Sequence, residues 1–426
     1  MQVDLSYGKK GLSVKIPDVN LVNVLTMKQQ LPLSDPAMAI VKALQNPIGL
    51  HTDISGIARG KKSACIIIPD MTRPMPNNVI LPPLLRILKE AGIEKNNIII
   101  LIATGTHRPN LGEELVELVG REIVENYRVE NHYAHDFASH ANLGASPTGS
   151  GIEILIDKRY VEAELKIATG FIEPHFMAGY SGGRKSIAPG IAAIETTKRL
   201  HSPELMGHVN SREDMLDGNP FHNEVLQIAK KVGVDMIINV ALNEQKQITG
   251  VFCGDLDLAH RKGVEFVRQS VKDTVPEPVD VVITTGGGYP LDATWYQTIK
   301  GVHAALPVVK KGGTIIVASE CSEGIGSQQF AQLIQKYRDL EKFLQDISGN
   351  DFFVMDQWQL QKYAIARRKA NVILVSDSLS PQLKDSMNMP WQNTVETAIV
   401  SVLQEYRTGA TIAAIPKGPY VLVDVA

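Results

Sequence analysis

Short β-branched runs alternate with helical patterns along almost the whole chain, and this rhythm constrains the fold more than any other feature. ACIII at 64–68, NIIILIA at 97–103, ELKIATGF at 164–171, MIINVAL at 236–242 and ITGVF at 248–252 read as buried strands. Between the first two, Leu81, Leu84, Leu85 and Leu88 keep helical spacing behind Pro82 and Pro83, residues suited to a helix start. A strand–helix–strand order of this kind builds parallel sheets with right-handed crossovers. KDTVPEP at 272–278 combines charge with two prolines and reads as a linker. The pattern then restarts with strand 279–285, helix 293–309, strand 313–318, helices near 327–347 and 357–369, and strand 371–375. Asn393 with Glu396 resembles a capping box for a helix to about 406, and ATIAAI at 410–415 closes the set. The expected architecture is α/β with two domains, 1–275 and 276–426, each a mainly parallel sheet flanked by helices. Such folds hold ligands at the carboxyl ends of strands, here in the cleft between the domains.

Composition narrows the partners. At 426 residues the chain exceeds one ordinary core. Lys and Arg number 43 against 46 Asp and Glu, a net charge of −3, so no basic footprint for a nucleic-acid backbone is present. Cys65, Cys253 and Cys321 lie far apart with no CxxC pair, which disfavours thiolate metal sites and disulfides and fits a reducing compartment. The N-terminal MQVDLSYGKKGLSVKIP lacks the apolar region of a signal peptide, and the longest apolar runs are too short for a bilayer. The expectation is a cytoplasmic protein with neither membrane nor nucleic-acid partner.

Four polar clusters follow strand ends. PDMTRPMPN places Asp70 and Arg73 on a proline-stiffened turn. They could be a surface ion pair, or Arg73 could fork a substrate carboxylate. ATGTHRPN puts His107 just past the permissive Gly105, either incidental or functional. GFIEPHFMAGYSGGRKSIAPG holds His175, paired glycines, Arg184 and Lys185. Arg184 stands where a Walker loop needs glycine, so a P-loop hydrolase is disfavoured. Backbone amides of Ser181, Gly182 and Gly183 could still cradle one phosphate, and Lys185 is either a phosphate contact or a covalent anchor. TTGGGYPLDATWYQTIKG offers Gly286, Gly287 and Gly288 for close backbone approach to a ligand. On the helix that follows, Tyr296 and Lys300 share a face, with Gln297 between them. His201 alone reads as a surface or capping residue, and His132, His135 and His140 read as a polar loop before a metal site.

Together, DMTRP, ATGTHRP, FIEPHFMAGYSGGRKSIAPGIA, GGGYPLDATWYQTIKG and DQWQLQ around Trp358 resemble the nickel-pincer-nucleotide-dependent lactate racemase family, in family order from about residue 4 to 422. The resemblance implies a racemase or epimerase of 2-hydroxy acids. It implies as cofactor a pyridinium-3-thioamide-5-thiocarboxylic acid mononucleotide holding nickel, matured by cofactor-biosynthesis enzymes. Lys185 would tether that cofactor, His201 would ligate nickel, Ser181, Gly182, Gly183 and Arg184 would bind the nucleotide, and Asp70 would orient a neighbouring histidine or the cofactor. His107 and His175 would be the acid/base pair. Arg73 and Lys300 would fix the carboxylate, with Tyr296, Gln297 and Trp358 shaping the pocket. Lactate-specific members resemble this chain less at Pro174 and Thr106, where they carry Ser and Phe.

The chemistry asked of such a site is demanding. The C2 hydrogen of a hydroxy acid is weakly acidic because removing it as a proton builds a dianion. Removing it as hydride while a base takes the hydroxyl proton gives a planar keto acid, and return to the other face inverts the centre. Histidines titrate in the range that a reversible proton exchange needs. The rival readings are an NAD-dependent 2-hydroxy acid dehydrogenase, which lacks its strand-linked GxGxxG here, and a non-catalytic nucleotide- or nickel-binding protein, disfavoured by the presence of both histidines.

Overall fold

The computed structural model describes residues 1–349, 352–406 and 409–426. Its first six-stranded sheet runs in the order Ile248–Gly254, Met236–Leu242, Leu165–Phe171, Ala64–Pro69, Ile98–Ala103, Arg128–Asn131. All neighbours are parallel except the first pair, which is an antiparallel hairpin. The central strand is apolar at every position because both faces are covered. Ile66 and Ile68 enter one core with Leu81, Leu84 and Leu88, whereas Cys65 and Ile67 enter the other with Ile187 and Phe221. From Ala64–Pro69 the chain winds out to one side and later returns to Leu165–Phe171 on the other. The gap between those two strands is therefore a topological switch point, where loops from their carboxyl ends diverge and leave a crevice.

The second sheet is wholly parallel, in the order Trp391–Gln392, Asn371–Val375, Val309–Ala318, Val279–Thr285, Ile412–Ala414, Leu21–Val24. Its last strand comes from the start of the chain. Ile412–Ala414 is short and fully buried, and left as an edge it would present an unpaired apolar strand. Leu21, Asn23 and Val24 cover that edge, while Val3, Leu5, Val14 and Ile16 pack with Val281, Ile283 and Ile316 on one face.

Several elements differ locally from the sequence expectation. The segment read as a linker contains a strand, Lys272–Val275, parallel to Leu422–Val425. Val275 points into the core with Val423, and the charge that suggested a linker lies outward, with Lys272 paired to Asp424 at 3.1 Å. Pro82 and Pro83 lie inside the helix Asn77–Glu90, which starts after Pro76. Burial of its leucine face on the sheet outweighs two missing N–H groups. The late capping box uses Thr394 and Thr397, and Glu396 instead accepts from the Lys15 amide at 3.0 Å. The stretch 327–347 is two helices, Gln328–Lys336 and Leu340–Ile347, each started by its own side-chain cap, Ser327 and Asp339. No helix among the described residues is long and apolar enough to cross a membrane.

Candidate active site

The switch point of the first sheet faces a cavity of about 200 Å³. Three loops of the first sheet and two helices of the second line it. Asp70, Arg73, His107, His175, Ser181, Gly182, Lys185, His201, Tyr296, Gln297, Lys300 and Trp358 all border this space, so the polar clusters separated by hundreds of residues converge. Gly183 and Arg184 do not border it. Thr72, Thr197 and Gln359 do, although no pattern of residues singles them out.

The turn after Ala64–Pro69 buries Asp70. Its Oδ1 accepts from the Thr72 hydroxyl at 2.6 Å and its Oδ2 meets His107 Nδ1 at 2.7 Å. Burial would raise the Asp70 carboxyl, but the hydrogen bond and charge of His107, with Arg73 and Thr72, hold it below the usual carboxylate range. An anionic Asp70 accepts the Nδ1 proton of His107 and leaves Nε2 with its lone pair. Asp70, expected to orient a neighbouring histidine or the cofactor, lies against the histidine His107.

The loop after Leu165–Phe171 folds back through a short antiparallel pair, Pro174–His175 with Gly179–Tyr180. Gly179 sits at φ +75°, and a Cβ there would lie 2.2 Å from the Met215 carbonyl oxygen, so only glycine fits. Ser181 Oγ donates to the Phe171 carbonyl at 2.9 Å, and the Gly183 amide donates to Asn239 Oδ1 at 3.0 Å. These bonds pin the SGG turn to the sheet. Arg184 is fully buried behind it, donating to the carbonyls of Ala178 at 2.7 Å and Gly182 at 3.3 Å and meeting His260 Nε2 at 2.8 Å. Its guanidinium braces the loop from within. Lys185, next in sequence, reaches the cavity instead, with Nζ 2.5 Å from His175 Nε2. Burial foremost, then the charges of Arg73, Lys300 and Arg184, holds Lys185 far below the ordinary amine range. His175 is held well below the histidine range by burial and by Lys185, Lys300, Arg73 and Arg184.

His201 caps the helix Ile194–Leu200. Its Nδ1 donates to the Thr197 carbonyl at 2.8 Å, which leaves Nε2 as the lone-pair nitrogen. Burial lowers it to about 4, against the Thr197 bond and with the charge of Lys185, so it is neutral at pH 7. The Trp358 ring lies 4.6 Å from the His201 ring, and its Nε1 donates to the Tyr296 hydroxyl at 3.0 Å. Thr294 caps the helix Trp295–Ala305 and so aims Tyr296, Gln297 and Lys300 at the cavity. Gln297 Oε1 is buried without a partner. The glycines 286–288 do not border the cavity. A Cβ on Gly286 would strike Asp292 at 2.7 Å, so the run serves packing of the turn and not approach to a ligand. His132 is spent on structure too, with Nδ1 3.2 Å from Asp157 and Nε2 3.1 Å from the Ala192 carbonyl.

Among the described residues no group of three or more His, Cys, Asp or Glu side chains could hold a metal ion. A metal at His201 would therefore take its other donors from an organic ligand. The residues fit that arrangement, because a neutral imidazole with a free Nε2 and a buried amine held far below its ordinary range border the same cavity.

The family model for the lactate racemase N-terminal domain matches residues 7–214, and that for the lactate racemase C-terminal domain matches residues 274–423. A lactate racemase of Lactiplantibacillus plantarum is 37% identical over 427 aligned residues, covering 99% of each chain. A lactate racemase of Thermoanaerobacterium thermosaccharolyticum is 35% identical over 426, again 99% of each. The structure of the lactate racemase apoprotein from Thermoanaerobacterium thermosaccharolyticum superposes with a TM-score of 0.93 at 34% identity, covering 99% of this chain and 100% of that one. A crystal structure from Thermotoga maritima shares the fold at a TM-score of 0.68 and 20% identity, covering 93% and 100%.

Proposed function

The chain belongs to the lactate racemase family, and from that premise we propose that it is an isomerase inverting C2 of a small 2-hydroxy acid, lactate first among them, without free NAD. The observation that carries the reading is the convergence on one cavity of two histidines, two cationic side chains and a neutral ligand histidine. In this reading residues 1–275 hold the cofactor and residues 276–426 supply Tyr296, Gln297, Lys300 and Trp358, with the strand Leu21–Val24 crossing to the second sheet.

Lys185 and His201 would hold a nickel-pincer nucleotide, Lys185 covalently and His201 through Nε2, with the Gly182 amide toward its phosphate, since the amides of Ser181 and Gly183 are given to the Glu173 carbonyl and to Asn239. When bound, that group supplies an acceptor and donor of hydride at C2. The chain's own residues do the rest. Arg73 and the Lys300 ammonium pair with the substrate carboxylate and fix which face of C2 is presented. His107 Nε2, oriented through Nδ1 by Asp70, takes the 2-hydroxyl proton of one enantiomer, and His175 serves the other. Tyr296 and Trp358 close the pocket against water.

The direct test incubates either enantiomer of lactate with protein co-expressed with the cofactor-making enzymes, in a buffer without NAD, and follows it by chiral chromatography. A mixture near the racemate is expected from both. Oxidation to the keto acid only after NAD is added would overturn the reading.

The same assay across pH isolates Lys300. Burial, then the charge of Arg73, brings Lys300 down to about 7, with Glu173 pulling the other way. The ammonium that pairs with a carboxylate is complete below that value and lost above it. KM for lactate is expected to climb as pH passes about 7, approaching tenfold per pH unit, with kcat changing less. Lys300→Arg should flatten the climb, since a guanidinium stays charged. A KM independent of pH in the unsubstituted enzyme would contradict this assignment.

A further inference from the structure

The contact between Lys185 and His175 has a chemical meaning of its own in protein that has not yet been loaded. His175 Nδ1 is approached by two backbone donors, the amides of Met177 and Ala178, each at 3.3 Å. A ring nitrogen facing two N–H groups carries a lone pair, which places the proton of the neutral imidazole on Nε2. Nε2 faces Lys185 Nζ at 2.5 Å. An ammonium has no lone pair with which to accept that proton, so the partner of Nε2–H is an uncharged amine. The surroundings agree, since burial foremost, then Arg73, Lys300 and Arg184, opposes a positive charge at Lys185, with Glu173 pulling the other way.

We propose that Lys185 and His175 form an amine–imidazole dyad through which the apoprotein catalyses its own acylation at Lys185, and that this acylation releases His175 for turnover. The identity of the natural acyl donor rests on the tether reading above; the dyad itself does not. In the step, the Lys185 nitrogen attacks an activated acyl or thiocarboxyl carbon. A carbon–nitrogen bond forms as the bond to the leaving atom breaks. The imidazole turns its Nε2–H from the amine to the departing atom, which frees the nitrogen lone pair for attack and stabilises the charge developing on that atom, and the proton shed by the nitrogen leaves with the departing group. The imidazole ends as it began, and no oxidant or reductant is needed. The amide or thioamide nitrogen so formed has its lone pair delocalised and no longer accepts from Nε2. His175 is thereby turned from a partner of Lys185 into a group facing substrate, so proton exchange at the second histidine becomes available only after loading.

The test uses the full apoprotein and a small acylating probe, p-nitrophenyl acetate, with peptide mass mapping of each acetylated lysine. At pH 7 an ordinary lysine is uncharged in only about one molecule in 2,500, and this fraction rises roughly a hundredfold by pH 9. Exposed Lys10 and Lys62 report that behaviour. Lys185 is expected to label at least about tenfold faster than either at pH 7, with little change up to pH 9. His175→Gln should slow Lys185 by about tenfold or more and leave Lys10 unchanged. A Lys185 rate that climbs with pH in step with Lys10, in the unsubstituted protein, would overturn the dyad, as would equal labelling in His175→Gln protein with an unaltered Lys10 rate. Failure of the tether reading is seen separately: rapid acetylation of Lys185 with no mass increment on co-expressed protein would keep the dyad and remove the tether.

Discussion

Lys185→Ala protein, co-expressed with the cofactor-making enzymes, is expected to carry no covalent mass increment and no racemase activity. The expected loss is complete because Lys185 is the one amine of its loop that reaches the cavity, while its neighbour Arg184 is buried behind the turn. His201→Ala separates the two attachments. That variant should keep the organic increment, since Lys185 is untouched, and lose nickel, since the lone pair of His201 Nε2 is gone. Intact mass and metal analysis of the same samples read both outcomes. A stoichiometric adduct on Lys185→Ala protein, or full nickel on His201→Ala protein, would reassign the residues.

His107 and His175 carry the second large effect. In the proposed cycle, inversion uses one imidazole to accept a proton from one enantiomer and the other to return a proton on the opposite face. Removing either therefore stops both directions. Each single alanine variant should lose more than the roughly 10²–10⁴-fold typical of one helping acid or base. The double variant should be little worse than either single one, as for groups that act as a unit. Asp70→Asn tests the positioning of His107 more gently. An amide offers Nδ1 both a donor and an acceptor, so the wrong ring tautomer becomes accessible and kcat falls with KM nearly unchanged. Additive losses, or a His107 variant that still converts one enantiomer at full rate, would mean that the two rings do not share one cycle.

The inner strands of both sheets were legible because burial on both faces writes continuous β-branched runs, as at ACIII and NIIILIA, whereas the edge strands Arg128–Asn131 and Trp391–Gln392 carry no such run and were not legible. The candidate cleft was legible because loops at carboxyl ends of parallel strands carry the polar residues, and the motif order then tied distant loops to one family. The membership of the first residues in the second sheet was not legible. Leu21–Val24 pairs with a strand almost four hundred residues later, and no local pattern encodes such a partner. Arg184 illustrates a second limit. Arginine beside two glycines and a lysine reads as a phosphate contact, yet the side chain turns inward to the carbonyls of its own loop. Burial direction in a glycine-rich turn depends on backbone dihedrals that sequence spacing does not reveal. His132 is the same lesson for histidine, since its two nitrogens are consumed by Asp157 and Ala192. Asp70 shows the converse, a residue whose importance was visible while its partner, His107, lay on another loop.

The central claim is that this cleft inverts a 2-hydroxy acid by moving the C2 hydrogen with its electron pair. Racemisation of C2-deuterated lactate in ordinary water, with the loaded enzyme and no NAD, tests it most directly. Hydride held within a closed cavity does not mix with solvent, so the inverted product should retain most of its deuterium while the hydroxyl proton, exchanged through His107 and His175, equilibrates freely. Washout of C2 deuterium in step with inversion would mean that the hydrogen leaves as a proton, and the account would be wrong.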